Sequence, residues 1–434
     1  MSLLIRNAQL IDGSLVNIFI KGNTIYDITH RLPLADEYID IAGKVVLPGL
    51  IDPHVHFRMP GDGHKEDWNT GSKAAVSGGF TTVLDMPNTS PPTTDRERLS
   101  QKRKLIEGKS YVNYGLYMGA TSTNLEEIKS AEHIAGVKVY LGSSTGDLLA
   151  DYNVLEAVLS ETNVTVACHS EDEECLKRVQ NSKFKTKKFG TLPVSYLHDH
   201  ARPEECAKIA AEKVVEIIKR VKRPVYFCHV SSKSEIEILT KAKKDGLLVF
   251  IEATPHHLFL NKEFARDLGN LARVNPPLRS YNSQVALKNA VKAGIVDTIG
   301  TDHAPHTLAE KHCSYSKAPS GVPGLETALP LFLDWFNKGE VGLNQIVTLM
   351  SENPALIYNI QKRGKLEPGY LADIVVVDLE LTKEIKNSRL YTKCVWSPFA
   401  GMQLTGWPIM TIVNGRVVFK DGDIVGRPGG REVF

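Results

Sequence analysis

Residues 50–57 read Leu-Ile-Asp-Pro-His-Val-His-Phe, a short and mostly apolar run with two histidines near its carboxyl end. Because side chains alternate between the two faces of a β-strand, His54 and His56 share one face and can bind one metal ion together. The spacing alone is weak, since His198 and His200 repeat it elsewhere. Its meaning depends on what the neighbouring strands supply.

The run at 50–57 is the first of eight similar apolar runs in the middle of the chain. Helical patterns separate most of them, for example at 204–221, 234–244 and 325–336. Short strands alternating with helices predict an α/β fold, a TIM-like (β/α)8 barrel, with a doubly wound open sheet as the alternative. The candidate strands cover residues 50–57, 80–86, 112–118, 137–141, 164–169, 225–229, 247–253 and 296–301.

Both ends of the chain read differently from the middle. They contain short β-branched runs split by turns, and Asn414-Gly415 between two apolar runs indicates a β-hairpin. Chain ends often lie close together in a domain. We therefore predict a small β-sandwich domain built from residues 1–48 and 361–434, around a catalytic barrel at 49–360.

Composition places the chain among ordinary globular proteins. Its 434 residues include 52 Lys and Arg against 50 Asp and Glu, and this near-neutral balance argues against a nucleic-acid partner. No run approaches about 18 apolar residues, so we expect no membrane span, and the amino terminus lacks the apolar run of a signal peptide. Six scattered cysteines without a C-x-x-C pair predict no disulfide framework and a reducing, cytoplasmic environment.

Polar residues stand at the ends of several candidate strands. Lys138 lies in the fourth, His169 and His229 end the fifth and sixth, and Asp302 follows the eighth. In a (β/α)8 barrel these strand ends meet at the face where active sites are built. With His54 and His56, five strands then deliver possible metal ligands to one mouth. The alternatives are histidines satisfied in the core and an Asp302 that caps the following segment.

Lys138 lies within the apolar run Gly-Val-Lys-Val-Tyr-Leu. A lysine that points into a barrel is costly unless it is paired or neutral. Burial and a nearby metal charge lower a lysine pKa, and the neutral amine can add CO2 to become a carbamate that bridges two cations. The alternative is a solvated lysine that points outward.

Four stretches of the sequence carry recognisable motifs. They are Asp-Pro-His-Val-His-Phe-Arg at 52–58, Asp-Met-Pro-Asn-Thr at 85–89, Arg-Val-Asn-Pro-Pro-Leu-Arg at 273–279 and Gly-Thr-Asp-His-Ala-Pro-His at 300–306. These stretches resemble dihydroorotases of the amidohydrolase superfamily, and the resemblance extends over nearly the whole chain. Arg58 favours dihydroorotases within the superfamily, because dihydropyrimidinases and allantoinases share the metal ligands but usually lack this arginine.

The resemblance implies a binuclear zinc centre. Some members bridge the two ions with aspartate, but the sequence around Lys138 is similar to the type that uses a carboxylated lysine. Paired zinc ions generate a nucleophile from water near neutral pH, and Asp302 would carry its proton. The implied ligands of one ion are His54, His56, carboxylated Lys138 and Asp302, and those of the other are Lys138, His169 and His229.

The same resemblance implies the substrate and its contacts. Arg58 offers a planar fork suited to a carboxylate, Asn88 and His306 would complete that pocket, and Asn275 would bind the ring amide groups. The implied reaction is the reversible hydrolysis of (S)-dihydroorotate to N-carbamoyl-L-aspartate in de novo pyrimidine biosynthesis. Another cyclic amidohydrolase, such as a hydantoinase, dihydropyrimidinase or allantoinase, and a non-catalytic dihydroorotase-like subunit are the alternatives. The sequence does not determine the oligomeric state, for which a homodimer is one option.

Overall fold

The computed structural model describes residues 2–144, 148–183 and 192–434. In this part of the chain, eight strands of the middle region form one parallel sheet in sequence order. These strands are β6 (Leu50–Val55), β7 (Phe80–Asp85), β8 (Asn113–Gly119), β9 (Gly136–Tyr140), β10 (Val166–His169), β11 (Val225–Phe227), β12 (Val249–Ala253) and β13 (Thr298–Ile299). The predicted runs therefore correspond to strands one by one, although the last is only two residues long.

The sheet curls until its first and last members meet. Val55 at the end of β6 pairs in parallel with His303, and the His56 N–H donates to the His303 carbonyl oxygen at 2.8 Å. Asp52 on β6 also accepts hydrogen bonds from the backbone and hydroxyl of Thr301. The predicted barrel is confirmed, and the open sheet is excluded by these contacts.

Helices surround the barrel and connect its strands. The predicted helix at 204–221 has the predicted limits, and the other two differ by one residue at an end. The helices are α1 (Trp68–Ser77), α2 (Arg96–Ile106), α3 (Leu125–Lys129), α4 (Tyr152–Glu161), α5 (Glu173–Lys183), α6 (Val194–Ala201), α7 (Glu204–Val221), α8 (Lys233–Lys244), α9 (Pro255–Phe259), α10 (Tyr281–Lys292), α11 (Leu308–Lys311), α12 (Leu325–Asn337), α13 (Leu343–Val347) and α14 (Asn353–Ile357). Short 3-10 helices cover Phe264–Ala272 and Asn387–Arg389, and a π-helical turn covers Thr348–Glu352.

Strand β9 shows how side-chain alternation prepares the site. Val137 and Val139 join the large apolar cluster between barrel and helices, while Lys138 and Tyr140 line a cavity in the barrel mouth. The Lys138 side chain is fully buried. The alternative of an outward, solvated lysine is therefore wrong.

Strands from both ends of the chain join in a second, nine-stranded and mostly antiparallel sheet, as predicted. Ile374 and Val376 face an apolar core of this sheet, whereas Val375 and Val377 pack against the barrel. The domain limits at 48 and 361 stay a prediction. The strands are β1 (Ser2–Gln9), β2 (Leu15–Lys21), β3 (Thr24–Thr29), β4 (Glu37–Asp40), β5 (Val45–Pro48), β14 (Ile374–Glu384), β15 (Gln403–Val413), β16 (Arg416–Lys420) and β17 (Asp423–Ile424).

The cysteines differ from the sequence prediction in one place. Cys175 on α5 and Cys206 on α7 form a disulfide, although the cysteine spacing predicts no disulfide framework. The two lie 31 residues apart in sequence and meet because α5 packs on α7, which no local spacing could indicate. The other cysteines of the described chain are free: Cys168, Cys228, Cys313 and Cys394. Separately, we find no helix in the described ranges with the length and apolarity needed to cross a membrane.

Candidate metal centre

The first cluster of ligand-type side chains joins the first and last barrel strands. The Nε2 atoms of His54 and His56 lie 3.4 Å and 3.0 Å from Asp302 Oδ1. Asp302 has a φ of +47°, a left-handed conformation that turns its carboxylate away from a regular strand path. An N-cap role, the alternative for Asp302, does not explain these contacts with His54 and His56. The three residues form a group able to hold one cation.

Protonation in this cluster suits metal binding. Burial would raise the pKa of Asp302, but the neighbouring His54 and His56 outweigh it and keep the pKa well below its ordinary value. Burial lowers the pKa of His56 to about 4, although Asp302 acts in the opposite direction. The carboxylate is thus ionised and the imidazole neutral near pH 7, the forms that coordinate metals.

A second cluster is formed by His169 at the end of β10 and His229 just after β11. His169 Nδ1 and His229 Nε2 are 3.0 Å apart, and burial lowers the pKa of both residues. The rings of His54 and His229 lie 5.3 Å apart between centroids, so the two clusters adjoin. Two neutral imidazoles with converging nitrogen atoms fit a second cation.

Lys138 lies on β9, in the wall of the same barrel mouth, and its charge acts on both His169 and His229. Its Nζ is 2.8 Å from Cys228 Sγ and 5.3 Å from the Tyr140 ring centroid. The structure thus brings the predicted bridging lysine to the histidines that end β10 and follow β11.

One cavity in the barrel mouth is lined by these residues. Its lining includes all six predicted metal ligands, namely His54, His56, Lys138, His169, His229 and Asp302, together with Arg58, Asn88 and Asn275. His306 is not part of that lining, and its side chain is fully buried behind the cavity. The described chain has a second surface cavity between β14, β15 and α12, but no predicted site residue lines it.

The predicted substrate residues have partners within the protein. Arg58 is buried with a φ of +62°, its Nε donates to the Pro305 carbonyl oxygen at 3.1 Å, and its Nη2 lies 3.0 Å from His306 Nε2. Asn88 Oδ1 is 2.6 Å from His56 Nδ1. Asn88 and His306 therefore orient His56 and Arg58 in this structure.

Sequence reasoning missed two acidic residues beside the histidines. Glu252 on β12 has its Oε1 2.8 Å from His54 Nδ1, and it accepts the His229 backbone N–H at 2.7 Å. Glu171 has its Oε2 3.0 Å from His169 Nε2. A glutamate inside the apolar run of β12, and another two residues after a strand-end histidine, were the available signals.

The stretch 196–203 contains His198, His200 and Arg202, and its sequence is compatible with a lid or an interface loop. The structure gives most of it as α6, which packs against the 3-10 helix at Phe264–Ala272 and against α5. His198 is buried, with its Nε2 2.9 Å from Asn275 Oδ1, and Arg202 is buried against Glu171. Through His198 and Arg202 the stretch contacts Asn275 and Glu171 beside the site.

Comparison with known proteins agrees with this geometry. Residues 45–418 match the profile of the Amidohydrolase family. The chain belongs to the amidohydrolase family. Among its relatives, a dihydroorotase of Methanosphaera stadtmanae is 38% identical over 98% of this chain and 97% of that protein. A dihydroorotase of Pyrococcus furiosus is 36% identical over 96% of this chain and 92% of its own length.

A solved structure is similar along almost the whole chain. It is an L-hydantoinase (dihydropyrimidinase) from Arthrobacter aurescens, with a TM-score of 0.93, 28% identity and coverage of 99% of this chain and 98% of that one. The sequence-based resemblance to dihydroorotases is confirmed, and this family member is a cyclic amide hydrolase.

Proposed function

We propose that the chain catalyses the reversible, zinc-dependent hydrolysis of (S)-dihydroorotate to N-carbamoyl-L-aspartate in de novo pyrimidine biosynthesis. The observation that carries this proposal is Arg58, a buried cation in the same cavity as the metal-type ligands. Its planar guanidinium lines the cavity and can form a bidentate pair with a substrate carboxylate. The dihydroorotases among the relatives favour the same reaction.

Two Zn²⁺ ions fit the donor set. We assign one to His54, His56, carboxylated Lys138 and Asp302, and the other to Lys138, His169 and His229. Buried neutral imidazoles, an ionised carboxylate and a buried amine able to form a carbamate support this assignment. When bound, the ions supply Lewis acidity that activates water and polarises an amide carbonyl.

Asp302 would move the proton in this reaction. Its carboxylate is ionised, and its Oδ1 lies beside the ring nitrogens of His54 and His56, so the other oxygen, Oδ2, would accept the proton. It then gives this proton to the ring nitrogen as the amide bond breaks, and takes it back during ring closure. One residue can thus act as base and acid in turn.

Arg58 would orient the substrate by pairing with its carboxylate. Its Nε bond to Pro305 and its contact with His306 leave the rest of the guanidinium edge for a ligand in the cavity. Asn275 also lines the cavity and would bind the ring amide groups, while His198 orients it. Asn88 would contribute to the carboxylate pocket mainly through His56.

Hydrolysis of an uncharged ring is the second candidate, favoured by the similarity to the L-hydantoinase structure. The test compares purified, zinc-loaded protein on dihydroorotate, hydantoin and allantoin at equal concentrations. We expect turnover of dihydroorotate in both directions and much slower hydrolysis of the other two. Turnover of only uncharged rings would refute the proposal. Fewer than one zinc per chain and no hydrolysis at all would favour a non-catalytic subunit.

A further inference from the structure

Glu171 lies beside His169, with a carboxylate oxygen close to one of the two ring nitrogens. The Glu171 side chain is completely buried, and its Oε2 lies 3.0 Å from His169 Nε2. The other ring nitrogen of His169 faces His229 at 3.0 Å, where the proposed second zinc ion would bind. Glu171 and the proposed metal position therefore lie at the two different nitrogen atoms of one imidazole.

The proton of a neutral histidine resides on one of these two nitrogens. Nε2 of His169 is buried and has no hydrogen bond of regular geometry among the described residues, but Glu171 Oε2 lies 3.0 Å away, within reach of a proton on that nitrogen. A proton held on Nε2 leaves the Nδ1 lone pair for the metal. The wrong tautomer would place a proton where the ion must bind.

Arg202 holds Glu171 in place from the far side. Its Nε lies 3.2 Å and 3.1 Å from the two carboxylate oxygens, and its Nη2 donates to Oε2 at 2.5 Å. Both partners are buried, so the pair is shielded from solvent and salt. This forked contact fixes the plane of the carboxylate as well as its position.

The backbone around this pair is itself restrained. The Arg202 carbonyl oxygen accepts a hydrogen bond from Arg279 Nη1 at 2.5 Å. The disulfide between Cys175 and Cys206 lies four residues beyond Glu171 on one segment and four beyond Arg202 on the other. These restraints hold the chain segments of Glu171 and Arg202 next to each other.

We infer that Glu171 and Arg202 are positioning residues for His169, which fix its metal-binding tautomer and ring orientation. The inference rests on the metal part of the proposed function, but not on the identity of the substrate. Carboxylates behind metal-bound histidines commonly contribute about 10- to 100-fold in metal affinity. Loss of this pair should weaken only the zinc ion that His169 binds.

The test uses the full chain with zinc and compares Glu171→Gln with wild type by chelator competition. We expect one of two zinc ions to bind about 10- to 100-fold more weakly in the variant, and the other to keep its affinity. Asp172→Asn is the matched control, because Asp172 is the next residue and pairs with Tyr152 and Lys213, away from His169. This control should keep both affinities.

Equal zinc affinities in Glu171→Gln and wild type would overturn the inference, as would an equal loss in Asp172→Asn. If Glu171→Gln does not fold, ¹⁵N NMR of wild-type histidines decides instead: a proton on His169 Nε2 supports the inference, and a proton on Nδ1 refutes it.

A wild type that binds two zinc ions with this asymmetry, yet leaves dihydroorotate intact, would refute the proposed substrate and leave the positioning role supported. A wild type that binds no zinc would overturn both.

Discussion

Replacement of Arg58 by lysine tests the proposed recognition of the substrate carboxylate. Lysine keeps the positive charge but loses the planar fork and the Nε bond to the Pro305 carbonyl oxygen. A hydrogen bond to a charged group contributes about 1.5–3 kcal/mol, so loss of one such bond to the carboxylate should weaken binding about 10- to 150-fold. We expect a rise in KM for dihydroorotate of this size, and a smaller change in kcat.

The assay measures kcat and KM for dihydroorotate in both variant and wild type, with zinc content determined in parallel. Arg363→Lys is the control, because Arg363 is also buried but pairs with Asp373 outside the cavity. That control should change stability and leave KM unaltered. An unchanged KM in Arg58→Lys at full zinc content would mean that the carboxylate binds elsewhere, and the proposed specificity would lose its basis.

Three further outcomes follow from the site and the fold. Asp302→Ala should lower kcat at least about 100-fold in both directions while circular dichroism shows that the fold is kept. Substantial remaining activity would mean that another group moves the proton. Lys138→Ala should lose zinc measurably by elemental analysis, because both proposed ions share this ligand, and two retained ions per chain would contradict the bridge. The double change Cys175→Ser with Cys206→Ser opens a loop of 31 residues, for which chain entropy predicts a loss of about 4 kcal/mol in the free energy of unfolding. Denaturant unfolding of the variant and of reduced wild type should agree, and an unchanged free energy would show that the two helices hold the loop without the bond.

The strand positions and the ligand residue types could be predicted because both depend on local pattern. Each short apolar run predicts one strand, and the alternation of side chains with a period of two indicates which residues share a face of it. His54 and His56 follow directly from that period. The strand ends of a parallel barrel lie on one face, so the amino-acid order alone places Lys138, His169 and His229 near them.

The partners of those ligands could not be predicted in the same way. The family resemblance implies that Asn88 and His306 contact the substrate, which stays a prediction, but it does not indicate their contacts with His56 and Arg58. The roles of Glu252 and Glu171 have no counterpart among the predicted site residues. Each of these contacts depends on side-chain direction at the barrel mouth, which a pattern of residue types does not contain.

The sequence by itself determined the alternation of strands and helices, the composite terminal sheet and the set of ligand types, since each arises from order along the chain. The tertiary structure decided which of these groups meet. His54 and Glu252 are 198 residues apart, yet their side chains lie 2.8 Å from each other. Cys175 reaches Cys206 only because two helices pack together. Such pairings follow from barrel closure and helix packing, so distances between atoms, and not spacing along the chain, define this metal centre.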